Sequence, residues 1–294
     1  MKHIPTGVLL IAHGTIDDLS ELPEFLKSVR RGRPAPESLI AEMRHRYSAI
    51  GGSPLLRYTR EQAAGLEQRL GMPVAVGMRL WKPRVEDVLP QLLAQGVRRV
   101  CLLPLAPYSV DVYVNAAKEA AATLSSEHDI ANLEWAPVSP WGTDVRFIEA
   151  HTELIRRTVP DDVPLVLTAH SLPQRVIAMG DTYDVEVQSS VRAIEARLGR
   201  PVHLAYQSQG ADGGEWLGPD LPSVLRRIAD TGARRVALAP VGFLADHVET
   251  LYDLDVEAKA LCSELGLELI RVPALNTEPA FLDALAGLVR RAIA

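Results

Sequence analysis

Residues 7–15 read GVLLIAHGT, and residues 165–173 read LVLTAHSLP. Each is a short apolar run without polar alternation, closed by Ala-His and a small residue. A run of that kind is a strand buried on both faces, as in a parallel sheet covered by helices. Working outward from the first run, residues 37–48 and 59–70 have helical spacing. Thr59 is placed to cap the second helix, with Gln62 completing a capping box. Strands follow at 74–78 (VAVGM) and 100–106 (VCLLPLA), with a helix near 85–95 between them. This is βαβ order, hence a mainly parallel sheet.

The second half repeats the grammar. PVHLAY at 201–206 echoes PVAVGM at 73–78, and RRVALAPV at 234–241 echoes RRVCLLPL at 98–105. Three matched strands in the same order point to an internal duplication. The expected fold class is α/β, with two Rossmann-like domains of parallel strands. The boundary is set in a stretch rich in Pro, Gly and Trp at 137–144. That gives an N-terminal domain over 1–140, a C-terminal domain over 141–275, and a final helix within 276–294 packing back on the first domain. Because ligands of open parallel sheets sit beyond the carboxyl ends of strands, His13 and His170 are expected at one interdomain cleft.

Composition narrows the partners. The 294 residues carry 31 Lys and Arg against 37 Asp and Glu, a formal charge of −6. A protein gripping a nucleic-acid backbone by bulk charge is normally basic, so no nucleic-acid partner is expected. Two cysteines, Cys101 and Cys262, are too few for a four-Cys cluster from one chain, and they fit a reducing compartment. No apolar run reaches the length of a bilayer span, and the start, MKHIP, lacks a signal-peptide core. A cytoplasmic location is the expectation. The cations are mostly Arg, and Arg30, Arg31, Arg33 and Arg46 crowd together. They form either a solvated surface or a clamp for carboxylate or phosphate, which guanidinium pairs in a bidentate fork.

Two segments can carry chemistry. In LVLTAHSLPQRVIAMGDTY (165–183), His170 stands at a strand tip before a Pro-stiffened turn. It is either structural, or a metal ligand or proton acceptor. In PVGFLADHVETLYDLDVEAK (240–259), Glu249, Asp253 and Glu257 are spaced by four, so a helix puts them on one face, and Asp246 joins the row. Like charges at that spacing disfavour the helix. The row is a solvated acidic face, or a line of carboxylates leading metal ions in or protons out. His247 is expected to point elsewhere on that helix than Glu249. Ser171 beside His170 lacks a nucleophile elbow, and no GxGxxG follows a strand, so hydrolase and dinucleotide readings are weak.

With those residues in view, the sequence resembles the ferrochelatase family over nearly its whole length. The stretches that carry the likeness are GVLLIAHGT, RRGRPAPESLIAEMRHRYSAIGGSPL, GMRLWKP, LTAHSLPQRVIAMGDTY, YQSQG, WLGPDL and PVGFLADHVETLYDLDVE, in that order. The resemblance implies two Rossmann-like domains with a porphyrin between them, Fe²⁺ as a substrate, haem or coprohaem as product, and no organic cofactor. It implies that His170 is the active-site imidazole, a ligand of iron and acceptor of pyrrole protons, with Glu249 as its carboxylate partner. Asp253 and Glu257 match the acidic row, a relay. Arg30, Arg46, Tyr47, Ser53 and Tyr113 match positions around the porphyrin and its propionates, with Thr15 and Gln62 near the same surface.

Several positions depart from the family pattern. His13 stands where relatives commonly have Tyr or Met, which makes it a candidate axial ligand to product iron. The GGSPL turn is one residue short before Ser53, and the loop leading to Tyr113 is shorter than usual. Arg79-Leu80 replaces the Lys-His of some relatives. The chain has no cysteine-bearing C-terminal extension, so no iron–sulfur cluster is expected. RRGR followed by PAPE favours coproporphyrin III over protoporphyrin IX, since four propionates use extra Arg clamps. Proteins that supply porphyrin or accept haem are expected as transient partners. Alternative readings are a cobalt or nickel tetrapyrrole chelatase, and a haem-binding or delivery protein without insertion activity.

Overall fold

The computed structural model describes residues 4–124, 130–210 and 214–294. The chain divides into two compact units, one of residues 1–141 with 282–294 and one of residues 142–281.

In the first unit, four parallel strands lie in the order β2-β1-β3-β4: β1 (Thr6–Ala12), β2 (Val74–Met78), β3 (Arg99–Pro104) and β4 (Glu134–Pro137). Val8 of β1 is in register with Val74 of β2 and Cys101 of β3. Both faces are covered, so Val8, Leu9, Leu10 and Ile11 are all buried. Burying a side chain of this kind contributes about 1.5–3 kcal/mol. This is why β1 reads as an unbroken apolar run. The helices are α1 (Leu22–Val29), α2 (Glu37–Ala49), α3 (Leu55–Leu70), α4 (Val85–Ala94) and α5 (Val110–Ala122). α3 and α4 pack on β2, and α5 packs on β3. At Gly77 of β2 an added Cβ would lie 3.1 Å from Val85 and 3.2 Å from Leu9, so the bare backbone lets α4 approach the sheet.

α3 begins four residues before the expected start. Thr59 is a fully buried interior residue whose hydroxyl donates to the Leu55 carbonyl, and Gln62 is buried with it. The helix is started instead by the Ser53-Pro54 turn, where Ser53 Oγ accepts the Leu55 N–H at 3.5 Å.

The second unit repeats the topology. Its strands lie in the order β6-β5-β7-β8: β5 (Leu165–His170), β6 (His203–Gln207), β7 (Arg235–Ala239) and β8 (Glu268–Arg271). The same order, all parallel, is the duplication read from the sequence. The sequence reading found three strands in each half. The fourth strands, EWAP and ELIR, are four residues long and only partly buried, so they carry no apolar run to find. The helices are α6 (Val145–Thr158), α7 (Gln174–Ala178), α8 (Tyr183–Leu198), α9 (Leu221–Asp230), α10 (Val248–Tyr252), α11 (Lys259–Glu264) and the start of α12 (Pro279–Ile293). Between α10 and α11, Asp253–Ala258 forms a π-helical turn. Behind it, Leu254, Ala258 and Cys262 join Val166, Leu225, Ile228 and Leu238 in one core. Cys262 is pushed up to about 11 and Cys101 to about 12 by burial, so both stay protonated and inert.

His151 on α6 is buried against the edge of Phe147, ring centroids 4.7 Å apart, and its Nε2 has no hydrogen-bond partner among the described residues. Burial pushes it down from 6.5 to about 3. The unfolded chain therefore binds a proton that the folded chain refuses between those values. Stability is whole above pH 6.5 and falls as the pH drops towards 3, by about 1.4 kcal/mol per unit at the limiting slope. We expect His151→Leu to lose roughly 2 kcal/mol less stability than the native protein between pH 7 and pH 4.5. Urea unfolding at both pH values measures it.

Candidate active site

The end of β5 is where a polar side chain first reaches the surface. Leu165 to Ala169 are buried, and His170, the last residue, is half-exposed. Its backbone is held on several sides. Tyr183 Oη donates to the His170 carbonyl at 2.9 Å, and the Ser171 N–H donates to the Gln207 carbonyl at 2.8 Å. Ser171 is fully buried and its hydroxyl donates to the Leu217 carbonyl, so it is spent on structure and is no nucleophile. Gly242, just past β7, lies so close that an added Cβ would stand 2.7 Å from Ala169 Cα. The Gly242 N–H donates to the Thr168 carbonyl at 3.0 Å.

His170, Glu249 and His247 come together. His170 Nε2 is 3.8 Å and His247 Nε2 3.7 Å from the same Glu249 Oε2. Both separations exceed a hydrogen bond but fall within ion-pair range. The two Nδ1 atoms are buried without a hydrogen-bond partner among the described residues, so each imidazole turns its Nε2 edge to the carboxylate. Phe243 neighbours both rings, nearly parallel to His170 with centroids 6.4 Å apart and tilted to His247 at 5.3 Å. This apolar contact fixes ring orientation without supplying a polar partner. Among the described residues no group of three His, Cys, Asp or Glu forms a closed metal cage.

The expectation for His247 is corrected here. The helix starts at Val248, and His247 is its cap, in extended backbone at φ −158°. It therefore leaves the helical periodicity and swings back to Glu249. The signal was the helix start itself, which the reading set near Gly242 rather than at the residue before Val248.

The acidic row is also rearranged. Asp246 does not join it. It is buried, pairs with Arg271 at 2.7 Å, and accepts from the Ala274 N–H and from Asn276 Nδ2. Asp253 is buried and accepts from Ser208 Oγ, with Gln207 Nε2 at 3.4 Å from both Asp253 Oδ2 and the Glu249 carbonyl. Glu257 is exposed, within the same π-helical turn. The i→i+5 bonding of such a turn widens it, and such turns are frequent at functional sites. Asp253 and Glu257 line one cavity of about 230 Å³ with Gln207 and Ser208, over a floor of Leu221, Leu225 and Leu261. Asp255 faces Arg271 instead, at 3.1 Å; burial raises its carboxyl above the usual range against the pull of that cation. Gln207, Ser208 and Phe243 had no sequence signal of their own beyond lying in the quoted motifs.

In the first unit the remaining candidates form smaller groups. His13, exposed just past β1, has Nδ1 2.9 Å from Tyr113 Oη. The Arg79 guanidinium sits 5.1 Å from the centre of the Tyr113 ring, a cation–π contact the sequence reading missed. Thr15 and Tyr47 are both buried, their hydroxyls 3.1 Å apart. Arg46 pairs with Glu42 one turn back on α2. Arg30 is half-buried, with Nε lacking a hydrogen-bond partner among the described residues. Ser53 starts α3, and Gln62, fully buried, is not on a surface.

The two four-stranded parallel sheets define the class. The fold is that of SirB from Bacillus subtilis, in a structure with Fe³⁺, at TM-score 0.65 and 13% identity over 99% of this chain and 96% of that one. The sirohydrochlorin chelatase SirB from Bacillus subtilis subspecies spizizenii, in complex with cobalt, aligns at TM-score 0.57 and 14% identity over 98% and 95%. The profile of the Ferrochelatase family matches residues 5–293. Relatives include the ferrochelatase of Herpetosiphon aurantiacus, 36% identical over 97% of this chain and 98% of its own length. The ferrochelatase of Acidobacterium capsulatum is 34% identical over 97% and 93%. The coproporphyrin III ferrochelatase of Anoxybacillus flavithermus is 34% identical over 96% and 95%. The chain belongs to the ferrochelatase family. It is a metal chelatase, a lyase of haem biosynthesis. No helix among the described residues is long and apolar enough to cross a membrane.

Gly242→Ala tests how the β5 tip is held. Its Cβ meets backbone, which cannot rotate away, so overpacking is expected to lower stability by about 1–3 kcal/mol. Turnover of the folded fraction is expected to fall because His170 is pushed from Glu249. Chemical denaturation and steady-state kinetics on the same preparation measure both.

Proposed function

We propose that the protein inserts Fe²⁺ into a porphyrin, with His170 and Glu249 at the point of insertion and coproporphyrin III as the preferred macrocycle. The observation that carries this reading is the convergence of His170 and His247 on Glu249 Oε2 at the rim of a buried sheet. Insertion exchanges one Fe²⁺ for two pyrrole protons. A flat ring keeps its nitrogen lone pairs in plane, so a site that favours a puckered ring lowers the barrier by binding the transition state better than the ground state. A neutral imidazole and a carboxylate suit borderline Fe²⁺ better than an all-oxygen site, and either can accept a departing proton. Asp253 and Glu257, sharing one water-accessible cavity, are then the outward relay for protons.

The preference for coproporphyrin III rests on the Arg-rich turn at 30–33 and Arg46, which suit four propionates. Arg31 takes a left-handed φ of 55° and Gly32 one of 85°, a tight turn that crowds the guanidinium-bearing residues. The relative from Anoxybacillus flavithermus, called a coproporphyrin III ferrochelatase, agrees with that choice. Haem is poorly soluble, which favours transfer to an accepting protein by transient contact. Anaerobic Fe²⁺ insertion into coproporphyrin III and protoporphyrin IX tests the reading. The coproporphyrin is expected to have the higher kcat/KM. His170→Ala and Glu249→Gln are each expected to cut turnover by about 100-fold or more while porphyrin binding changes little. Full activity in either variant would refute the assignment.

A second role is supported at His13. His13 is exposed just past β1, with Nδ1 2.9 Å from the Tyr113 hydroxyl. An exposed imidazole steered by a hydrogen bond at one ring nitrogen suits ligation of haem iron. We expect His13→Ala to shift the Soret band of protein-bound metallated product and to speed product release. An unmoved band excludes axial ligation.

A further inference from the structure

We propose that Asn276 and Arg271 are positioning residues that clamp the turn bearing His247 and Glu249, an inference that rests on the reading of that pair as the insertion site. The turn between β7 and α10, residues 240–247, belongs to no helix or strand; its start is tied to β5 through Gly242, which leaves the end nearest α10. What fixes it is the segment following β8. Asn276 reads Asp246 twice: its Oδ1 accepts the Asp246 N–H at 2.8 Å, and its Nδ2 donates to Asp246 Oδ2 at 2.9 Å. Its own N–H donates to the Leu244 carbonyl at 2.9 Å. Arg271 Nη2 donates to Asp246 Oδ1 at 2.7 Å, and the Ala274 N–H donates to Oδ2 at 3.2 Å. Arg271 Nε also faces Asp255 at 3.1 Å, so one guanidinium ties both flanks of α10.

The geometry of the clamp is specific. Asn276 has φ 45°, in the left-handed region that Asn tolerates better than other side-chain-bearing residues. In that conformation its amide offers acceptor and donor to one neighbour, as a base edge would. Asp246 immediately precedes His247 and lies three residues before Glu249. Fixing its main chain and carboxylate together fixes where α10 begins, hence the direction of both site side chains. A buried carboxylate that accepts three hydrogen bonds is costly to disturb, which makes the clamp stiff.

Asn276→Gly tests it, because Gly keeps the left-handed backbone while deleting both side-chain bonds. With the full chain, Fe²⁺ and coproporphyrin III under anaerobic conditions, we expect kcat to fall at least tenfold while KM for porphyrin stays within twofold. Ile228→Val, in the core away from the clamp, is expected to lower Tm with kcat unchanged. Hydrogen exchange, read without turnover, is expected to speed at least tenfold at residues 246–251 with β5 unaffected. If Asn276→Gly does not fold, Arg271→Lys carries the same measurements, since it keeps the charge but loses the two-sided tie. Native kcat and native exchange at 246–251 in a folded variant would overturn the proposal. So would a loss of kcat matched by an equal loss in Ile228→Val. An inactive native protein would defeat the reading of function, and the exchange measurement would still decide the clamp.

Discussion

A strand buried on both faces cannot carry a polar side chain along its length without an unpaired group in the core, so its chemistry is forced to its end. β5 departs from this only at Thr168, a buried hydroxyl with no hydrogen-bond partner among the described residues, and keeps its titratable group for the tip. Its first five residues are buried, and the sixth is His170. Gly242 and the hydroxyl of Tyr183 hold the tip so that the imidazole leaves the sheet in one direction. The first unit ends its central strand in the same way, with His13 exposed one residue past β1 and steered by Tyr113.

The acidic segment solves a second problem, that of anchoring carboxylates beside the core without burying them unpaired. Leu254, Ala258 and Cys262 recur every four residues and pack into the sheet-facing core. Glu249, Asp253 and Glu257 recur at the same interval one residue earlier, on an adjoining face. The π-helical turn lies where the two rows run together. Asp253, the most buried of the three, is the one given partners, Ser208 and Gln207. Asp246 is handed to Arg271, Ala274 and Asn276, and so becomes scaffold. Four acids close in sequence thus divide into one anchor, one partner of two histidines, and two residues lining a cavity.

Much of this was legible in the chain. The central strands β1, β3, β5 and β7 read as apolar runs because both their faces are covered, β2 followed them in βαβ order, and β6 was read from the repeat. His170 and Glu249 were named from a strand tip and a helical spacing, and the structure brings them together at 3.8 Å. The short edge strands β4 and β8 were not legible, since partial burial leaves no periodicity. Thr59 was read as a cap because it looks like one locally; the Pro54 turn and its own bond to Leu55 make it an interior residue. His247 was misplaced because a helix was assumed to begin too early.

The sequence by itself determined the α/β class, the repeated strand order, the family, and the candidate pair His170 and Glu249 that the structure brings together. These depend on burial patterns and motif spacing, which are written in order along the chain. Only the tertiary structure decided that His247 turns back to Glu249, that Asp246 leaves the acidic row, and that Tyr113 steers His13. Each depends on a hydrogen bond or contact with a backbone start or a segment far along the chain, thirty residues from Asp246 to Asn276 and a hundred from His13 to Tyr113. Local spacing holds no record of such partners, because they become neighbours only once the sheets have formed.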